Sequence, residues 1–269
     1  IITRSEIDWL APNEACDFLL PDFAPDITRA VAFAALGDAP VDCVVQQTDD
    51  RRKRLLIADM DSTIITCECL DEIADFAGLK PQIAAITERA MCGEIAFEPA
   101  LMQRVGLLAG LPESVLDKVM ASRVKFMPGA KCLVQTMQAG GAKCILVSGG
   151  FTFFTSKVAE LCGFDMHFAN RLEIEGGKLT GRVIEPILGR EAKLLTLERE
   201  ARALSIPLAA TLSVGDGAND LAMIGAAGLG VAFHAKPIVA QAAPAVVAHG
   251  DLTALLYIQG HRKAEFVGG

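Results

Sequence analysis

The sequence predicts an α/β fold: a doubly wound parallel sheet with a helical insertion after its first strand. Three observations carry that prediction. Short, uncharged and largely apolar runs recur at 55–58, 144–147, 210–214 and 230–233, as strands buried on both faces do. A turn signal and then helical spacing follow each run, which places helices on both faces of the sheet. Between the first two runs lies a long stretch with helical spacing and no strand pattern.

Residues 1–49 carry no chemical motif. Proline and aspartate recur there, and 27–36 has modest helical spacing. They form a small N-terminal segment of unread role, expected to pack on the main domain, 50–269. The basic cluster Arg51-Arg52-Lys53-Arg54 precedes the first strand and reads as a solvated linker edge. After Leu55-Leu56-Ile57-Ala58, helical spacing returns at 71–77, 83–91, 97–108 and 113–121. A helical insertion at this point, approximately 67–128, would sit over the strand ends as a cap. Arg171-Leu172-Glu173-Ile174, the Gly176-Gly177 turn and 178–183 read as a hairpin. A helix begins near Gly189, and the last two apolar runs complete the sheet.

With 269 residues, 52% of them hydrophobic, the chain can bury a sizeable core. Its mean hydropathy of +0.38 raises the question of a membrane span. The least charged stretch, 221–248, is broken by Gly225, Gly228, Gly230, Lys236, Pro237 and Pro244. No run supplies the roughly 20 apolar residues that a spanning helix needs, so no membrane partner is expected. The net charge of −8 argues against a nucleic-acid partner, since that affinity rests on basic surface. A small anionic substrate stays open, because local charge can oppose the global sign. The eight cysteines are scattered, and Cys67-x-Cys69 is too close for the usual zinc pairs. They read as small buried hydrophobes in a reducing compartment. Arg4, Glu6, Asp8, Glu14 and Asp17 interrupt the first twenty residues, so no secretory signal is read and a cytoplasmic location is expected.

Ligands of doubly wound sheets bind at the carboxyl ends of the strands. The residues there are Asp59-Met60-Asp61-Ser62-Thr63, then Ser148-Gly149-Gly150, then Gly215-Asp216-Gly217-Ala218-Asn219-Asp220. Each motif alone is weak, since Asp-x-Asp and Gly-Asp-Gly also make caps and tight turns. Three in order, each ending a buried strand, point to phosphoryl transfer. That chemistry needs an in-line nucleophile, charge neutralisation and a proton for the leaving group. Asp59 can be the carboxylate nucleophile and Asp61 the general acid, then base. Asp59, Asp61, Asp216 and Asp220 cannot all stay ionised unaided. An all-oxygen set of this kind suits Mg²⁺, and Lys193 on the helix after Gly189 can complete the balance. Backbone N–H groups at Gly149 and at the start of the following helix can hold phosphate oxygens.

These motifs resemble the four motifs of the haloacid dehalogenase (HAD) superfamily and, more closely, the phosphoserine phosphatase family within it. The likeness runs from about Leu55 to Ile258 and includes 68–73, 97–105, 168–171, 178–181 and 235–238. It implies a HAD-like Rossmannoid core with a helical cap. It implies Mg²⁺ held by Asp59, the Asp61 carbonyl and Asp216, with Asp220 supporting from behind. It also implies a small-molecule substrate, O-phosphoserine, hydrolysed through a phosphoaspartate in the last step of serine biosynthesis. Ser148, Gly149 and Asn219 are then expected against the substrate.

The cap offers a clue of its own. Phe97, Leu101, Arg104 and Leu108 share one stripe of a helix. Arg104 is either a snorkelling side chain or a carboxylate clamp; the resemblance favours the clamp. Glu68 either complements a helix N-terminus capped by Thr66 or, by the resemblance, meets the substrate ammonium. Met91 and Phe97 would form the apolar lid. The four histidines show no spacing that suggests catalysis or metal binding. Two other readings stay open. One is a HAD phosphatase or phosphotransferase for another small phosphate, such as phosphohomoserine. The other is a non-catalytic phospho-acceptor module, against which stand the second acid, Asp61, and the large cap.

Overall fold

The computed structural model of the protein describes residues 7–20, 24–91, 94–189 and 191–268. A hairpin of β1 (Asp8–Ala11) and β2 (Ala15–Asp17) comes first, followed by α1 (Pro25–Leu36). Strand β3 (Leu55–Ala58) leads into four helices: α2 (Cys69–Phe76), α3 (Lys80–Met91), α4 (Phe97–Gly106) and α5 (Ser114–Ser122). Then come α6 (Ala130–Ala139), β4 (Lys143–Phe151), α7 (Thr152–Cys162), β5 (Met166–Glu175), β6 (Lys178–Ile184) and α8 (Ala192–Ala203). Strand β7 (Thr211–Gly215), α9 (Leu221–Ala226), β8 (Leu229–Phe233), α10 (Pro237–Ala242), β9 (Ala245–Val247) and α11 (Ala254–Ile258) complete the order.

Seven strands form one sheet in the order β6-β5-β4-β3-β7-β8-β9. All neighbours are parallel except β5 and β6. The central strand shows why its sequence is uniformly apolar. Leu56 and Ala58 face one layer with Leu133, Phe154 and Leu255 from α6, α7 and α11. Leu55 and Ile57 face the other with Leu197, Met223 and Val239 from α8, α9 and α10. Both faces are covered, so nothing on β3 needs to be polar. No helix among the described residues is long and apolar enough to cross a membrane.

Helices α2–α5 leave the sheet between β3 and β4 and return across a narrow neck. Thr66 N–H donates to the Lys125 carbonyl and Met127 N–H to the Ile64 carbonyl, both at 2.9 Å. The hairpin props the far side: Gly110 N–H meets Leu179 O at 2.8 Å and Glu113 N–H meets Gly177 O at 2.9 Å. Gly176 and Gly177 both have positive φ, 57° and 74°, as a primed hairpin turn requires.

Several expectations change. The cluster 51–54 is a solvated edge only in part: Arg52 and Arg54 are exposed, but Arg51 is half-buried and Lys53 is buried. Arg51 grips Asp17 through two bonds of 2.6 and 2.8 Å and also donates to Ile258 O. Lys53 is buried, its ammonium on the carbonyls of Asp50 and Ala209 at 2.6 and 2.7 Å. Arg52 pairs with Glu265 at 2.8 Å. The basic run thus ties the N-terminal hairpin to the end of the chain, with partners too distant in sequence for local pattern to show. Ser148-Gly149-Gly150 lies within β4 rather than beyond it, and the ladder to β5 breaks between Val147 and Phe151. Strand β5 begins at Met166 and pairs with β4 before it enters the hairpin, and β9 is an additional strand. Thr66 does not cap α2. Glu68 holds that position, and the N–H of Cys69 is taken by Asp61 at 2.9 Å.

Candidate active site

Parallel register builds the floor of the site. Ala58 lies opposite Leu146 on one side and Val214 on the other. The chain therefore leaves β3 at Asp59 beside the ends of β4 and β7, and Asp59 N–H still donates to Val214 O at 3.0 Å. The carboxylates of Asp59, Asp216 and Asp220 each offer an oxygen within 4.8 Å of the others. Lys193, on the first turn of α8, joins two of them at 2.7 Å to Asp59 and 2.5 Å to Asp220. Asp220 spends its other oxygen on the N–H of Gly217 at 3.0 Å. Only glycine fits at 215, because a Cβ there would lie 2.3 Å from the Asp220 carboxyl carbon.

Burial raises the pKa of Asp59 well above its ordinary value, and the Asp220 charge adds to that against the pull of Lys193. Asp216 is raised by burial and then by Asp220. For Lys193, burial disfavours the charge, but Asp59 and Asp220 outweigh it and hold the ammonium above its ordinary pKa. Three carboxylates against one ammonium leave the cluster short of positive charge. The donors are all oxygen, so the residues fit a hard divalent cation.

Asp61 stands apart from that cluster. One oxygen accepts the Cys69 N–H; the other accepts the Ser148 hydroxyl at 3.0 Å. Ser148 Oγ in turn accepts Gly150 N–H at 2.8 Å. Burial raises the Asp61 pKa, and these bonds only partly oppose it. Its two oxygens are thus held by donors outside the Lys193 cluster, so the carboxyls of Asp59 and Asp61 sit in different environments. A small cavity over the floor is lined by Phe97, Ser148, Gly149, Leu188, Lys193 and Asn219. The Phe97 ring packs directly over Gly149, so the cap meets the floor there.

The cap side is looser. The Ser62 hydroxyl, on a residue with φ 55°, donates to Glu68 Oε1 at 2.6 Å. Glu68 reaches the surface, yet crowding around its carboxyl, and then the Asp61 charge, push its pKa up to about 7. Arg104 is half-buried, donates to Ala100 O at 3.2 Å, and has no ion pair among the described residues. Burial lowers its pKa, while the charges of Asp71 and Glu68 oppose that. Leu101 and Leu108, on the same stripe, are in the core. Met91 ends α3, and its side chain lies outside the described residues.

A sequence profile of the haloacid dehalogenase-like hydrolases matches residues 56–225. The chain belongs to that family. It is 45% identical over 236 residues to a phosphoserine phosphatase of Streptomyces coelicolor, covering 88% of this chain but only 57% of the relative. It is 46% identical to a phosphoserine phosphatase of Polaromonas sp., covering 76% of this chain and 88% of the relative. A solved phospho-aspartyl intermediate analogue of phosphoserine phosphatase superposes with a TM-score of 0.71 at 40% identity, covering 77% of this chain and 98% of that one. The chain thus spans little more than half the length of its Streptomyces relative.

Within this haloacid dehalogenase-like frame, one buried polar residue had no assigned role. Asn170 donates to Gly149 O at 2.9 Å and accepts Leu188 N–H at 2.7 Å. It thereby fixes the Ser148-Gly149 end of β4 against the loop that leads to Lys193. The available signal was an amide on a buried strand, which needs such partners.

Proposed function

We propose that this chain hydrolyses O-phosphoserine to serine and phosphate through a phosphoaspartate on Asp59, with Mg²⁺ as cofactor. The observation that carries the reading is the pairing of two differently placed carboxyls. Asp59 is locked by Lys193 inside the acidic cluster, and Asp61 is held outside it by Cys69 N–H and Ser148. Relatives that bear the phosphoserine phosphatase name across most of this chain support the substrate.

In this reading Asp59 attacks phosphorus, and the bond to the serine oxygen breaks as Asp61 gives that oxygen its proton. Asp61 then takes a proton from water, whose oxygen attacks phosphorus and releases Asp59. Lys193 and the N–H groups at Gly149 and at the start of α7 hold phosphate oxygens, with Ser148 and Asn219 beside them. Asp59, the Asp61 carbonyl and Asp216 would hold the cation, with Asp220 behind; when bound, it offsets the phosphate charge. Glu68 takes the substrate ammonium, Arg104 its carboxylate, and Phe97 with Met91 closes the apolar side. The free thiols among the described residues suit a cytoplasmic setting.

The test is phosphate release from a panel of phosphomonoesters, including phosphohomoserine, with Mg²⁺ and with excess chelator. Phosphoserine is expected to give the highest kcat/KM, and chelator to abolish release. Equal rates across the panel would remove the substrate assignment, and full activity in chelator would remove the cation.

A further inference from the structure

Three consecutive residues at the start of α2 converge on the proton donor. Cys69 gives Asp61 its N–H, and its thiol touches the same carboxylate. The Cys67 thiol lies against that of Cys69. Glu68, between them, is the proposed ammonium site. Cys67 is partly exposed, whereas Cys69 is buried at 1%. Residues two apart span at most about 7 Å between Cα atoms, which overlaps the range of about 4.4–6.8 Å where disulfides close. Glu68 has φ −94° and ψ 107°, short of full extension, which brings the pair nearer.

We infer that Cys67 and Cys69 form a peroxide-sensitive thiol pair whose oxidation disables Asp61. This rests on the reading of Asp61 as proton donor. Cys67, the sulfur that solvent reaches, attacks one peroxide oxygen. A sulfur–oxygen bond forms, the oxygen–oxygen bond breaks, and the departing hydroxide takes the thiol proton to become water. Cys69 then attacks the Cys67 sulfur, so a disulfide forms and the sulfur–oxygen bond breaks. The second water carries away the proton of Cys69. Two electrons pass from the sulfurs to the peroxide, and both thiol protons end in water.

The consequence follows from the shared contacts. Closing the disulfide draws the Cys69 sulfur away from Asp61 toward Cys67. It also turns the first residue of α2, whose N–H holds Asp61, and carries Glu68 with it. Asp61 loses two of its contacts, and the Ser148 hydroxyl alone remains.

The experiment treats the full chain, with Mg²⁺, with excess hydrogen peroxide, then catalase, then an alkylating agent. The tryptic fragment 55–89 contains Cys67 and Cys69 and no other cysteine. It is expected to lose two hydrogens and to resist alkylation. Phosphate release from p-nitrophenyl phosphate should fall about 10²-fold, the lower end of what general acid–base catalysis supplies. Dithiothreitol should reverse both changes. Cys67→Ser should match the untreated wild type and keep its activity after peroxide. Alkylation of both sulfurs after peroxide would overturn the proposal. So would equal inactivation of wild type and Cys67→Ser, or a closed disulfide with unchanged activity. Failure of the functional reading is separable: an untreated chain that releases no phosphate refutes the role of Asp61, while the fragment mass still decides the thiol pair.

Discussion

On the floor of the site, Lys193 meets Asp59 and Asp220 at 2.7 and 2.5 Å, with all three side chains at most 7% exposed. In the cap, Arg104 donates to one carbonyl of its own helix, and Glu68 accepts one hydroxyl at the surface. The floor thus ties two of its three carboxylates to Lys193 before any substrate arrives, whereas the cap keeps both signs in reserve. A buried charge left without a partner is costly, so the cap groups stay half-solvated until a ligand supplies partners. In the proposed reaction this difference would divide the labour, the floor fixing which bond breaks and the cap which molecule is held. Substitutions in the two regions should therefore differ in kind as well as in size.

The largest effect is expected at Asp59. Asp59→Asn removes the nucleophile's charge with little change of shape. Activity should fall by on the order of 10⁴-fold or more, as loss of a nucleophile does in other covalent enzymes. No phosphate should be found on the protein by mass spectrometry. Asp61→Asn comes next, at about 10²–10⁴-fold. A substrate with a good leaving group needs little protonation in the first half-reaction, so this variant should accumulate phosphoenzyme on the peptide containing Asp59. A label on Ser62 or Ser148 would refute the proposed division between the two aspartates. The Asp59→Asn loss should apply to every phosphomonoester alike, whereas the Asp61→Asn loss in the first half-reaction should shrink as the leaving group improves.

The floor was more legible in the sequence than the cap, and the reason is physical. Chemistry at strand ends needs its groups within a few residues of a buried apolar run, so Asp59 and Asp216 announce themselves beside β3 and β7. Lys193 lies further off, and its part depends on an ion-pair network that no local pattern displays. Asn170 was hidden for the same reason, since both of its partners belong to other segments. Strand β9 has three residues, too few for any periodicity. Half of the basic run at 51–54 faces water as charge runs usually do, while Arg51 and Lys53 turn to Asp17 and to two carbonyls that no local pattern displays. In the cap, the helices were legible from spacing, but the role of Arg104 was not, because a stripe shows a face without showing what covers it.

Arg104→Ala isolates the cap. The substrate carboxylate would lose its partner, at about 2–4 kcal/mol for one member of a desolvated charge pair. That should reduce kcat/KM for phosphoserine by roughly 30- to 1000-fold, chiefly through KM. p-Nitrophenyl phosphate has no carboxylate and should be hydrolysed as before. Equal damage to both substrates would make Arg104 a structural residue, and the contrast between floor and cap would collapse at its most exposed point.

The smallest effect is a pH step at Glu68. Its pKa is pushed up to about 7, first by crowding around the carboxyl and then by the Asp61 charge, with the Ser62 hydroxyl pulling the other way. A raised carboxyl pKa means that the neutral form dominates below about 7 and the carboxylate above it. Only the carboxylate attracts an ammonium. KM for phosphoserine should therefore fall as pH rises through about 7 and level off above it. The change should be about tenfold, the worth of one hydrogen bond to a charged group. p-Nitrophenyl phosphate lacks the ammonium, so a step near this pH seen with phosphoserine and not with p-nitrophenyl phosphate isolates Glu68. Glu68→Gln should remove the step and hold KM at its low-pH value. Ser62→Ala should move it to higher pH, because the hydroxyl that favours the carboxylate is gone. An identical step for both substrates would place the titrating group on the floor, with Asp61 the first candidate, and would leave Glu68 without a part in recognition.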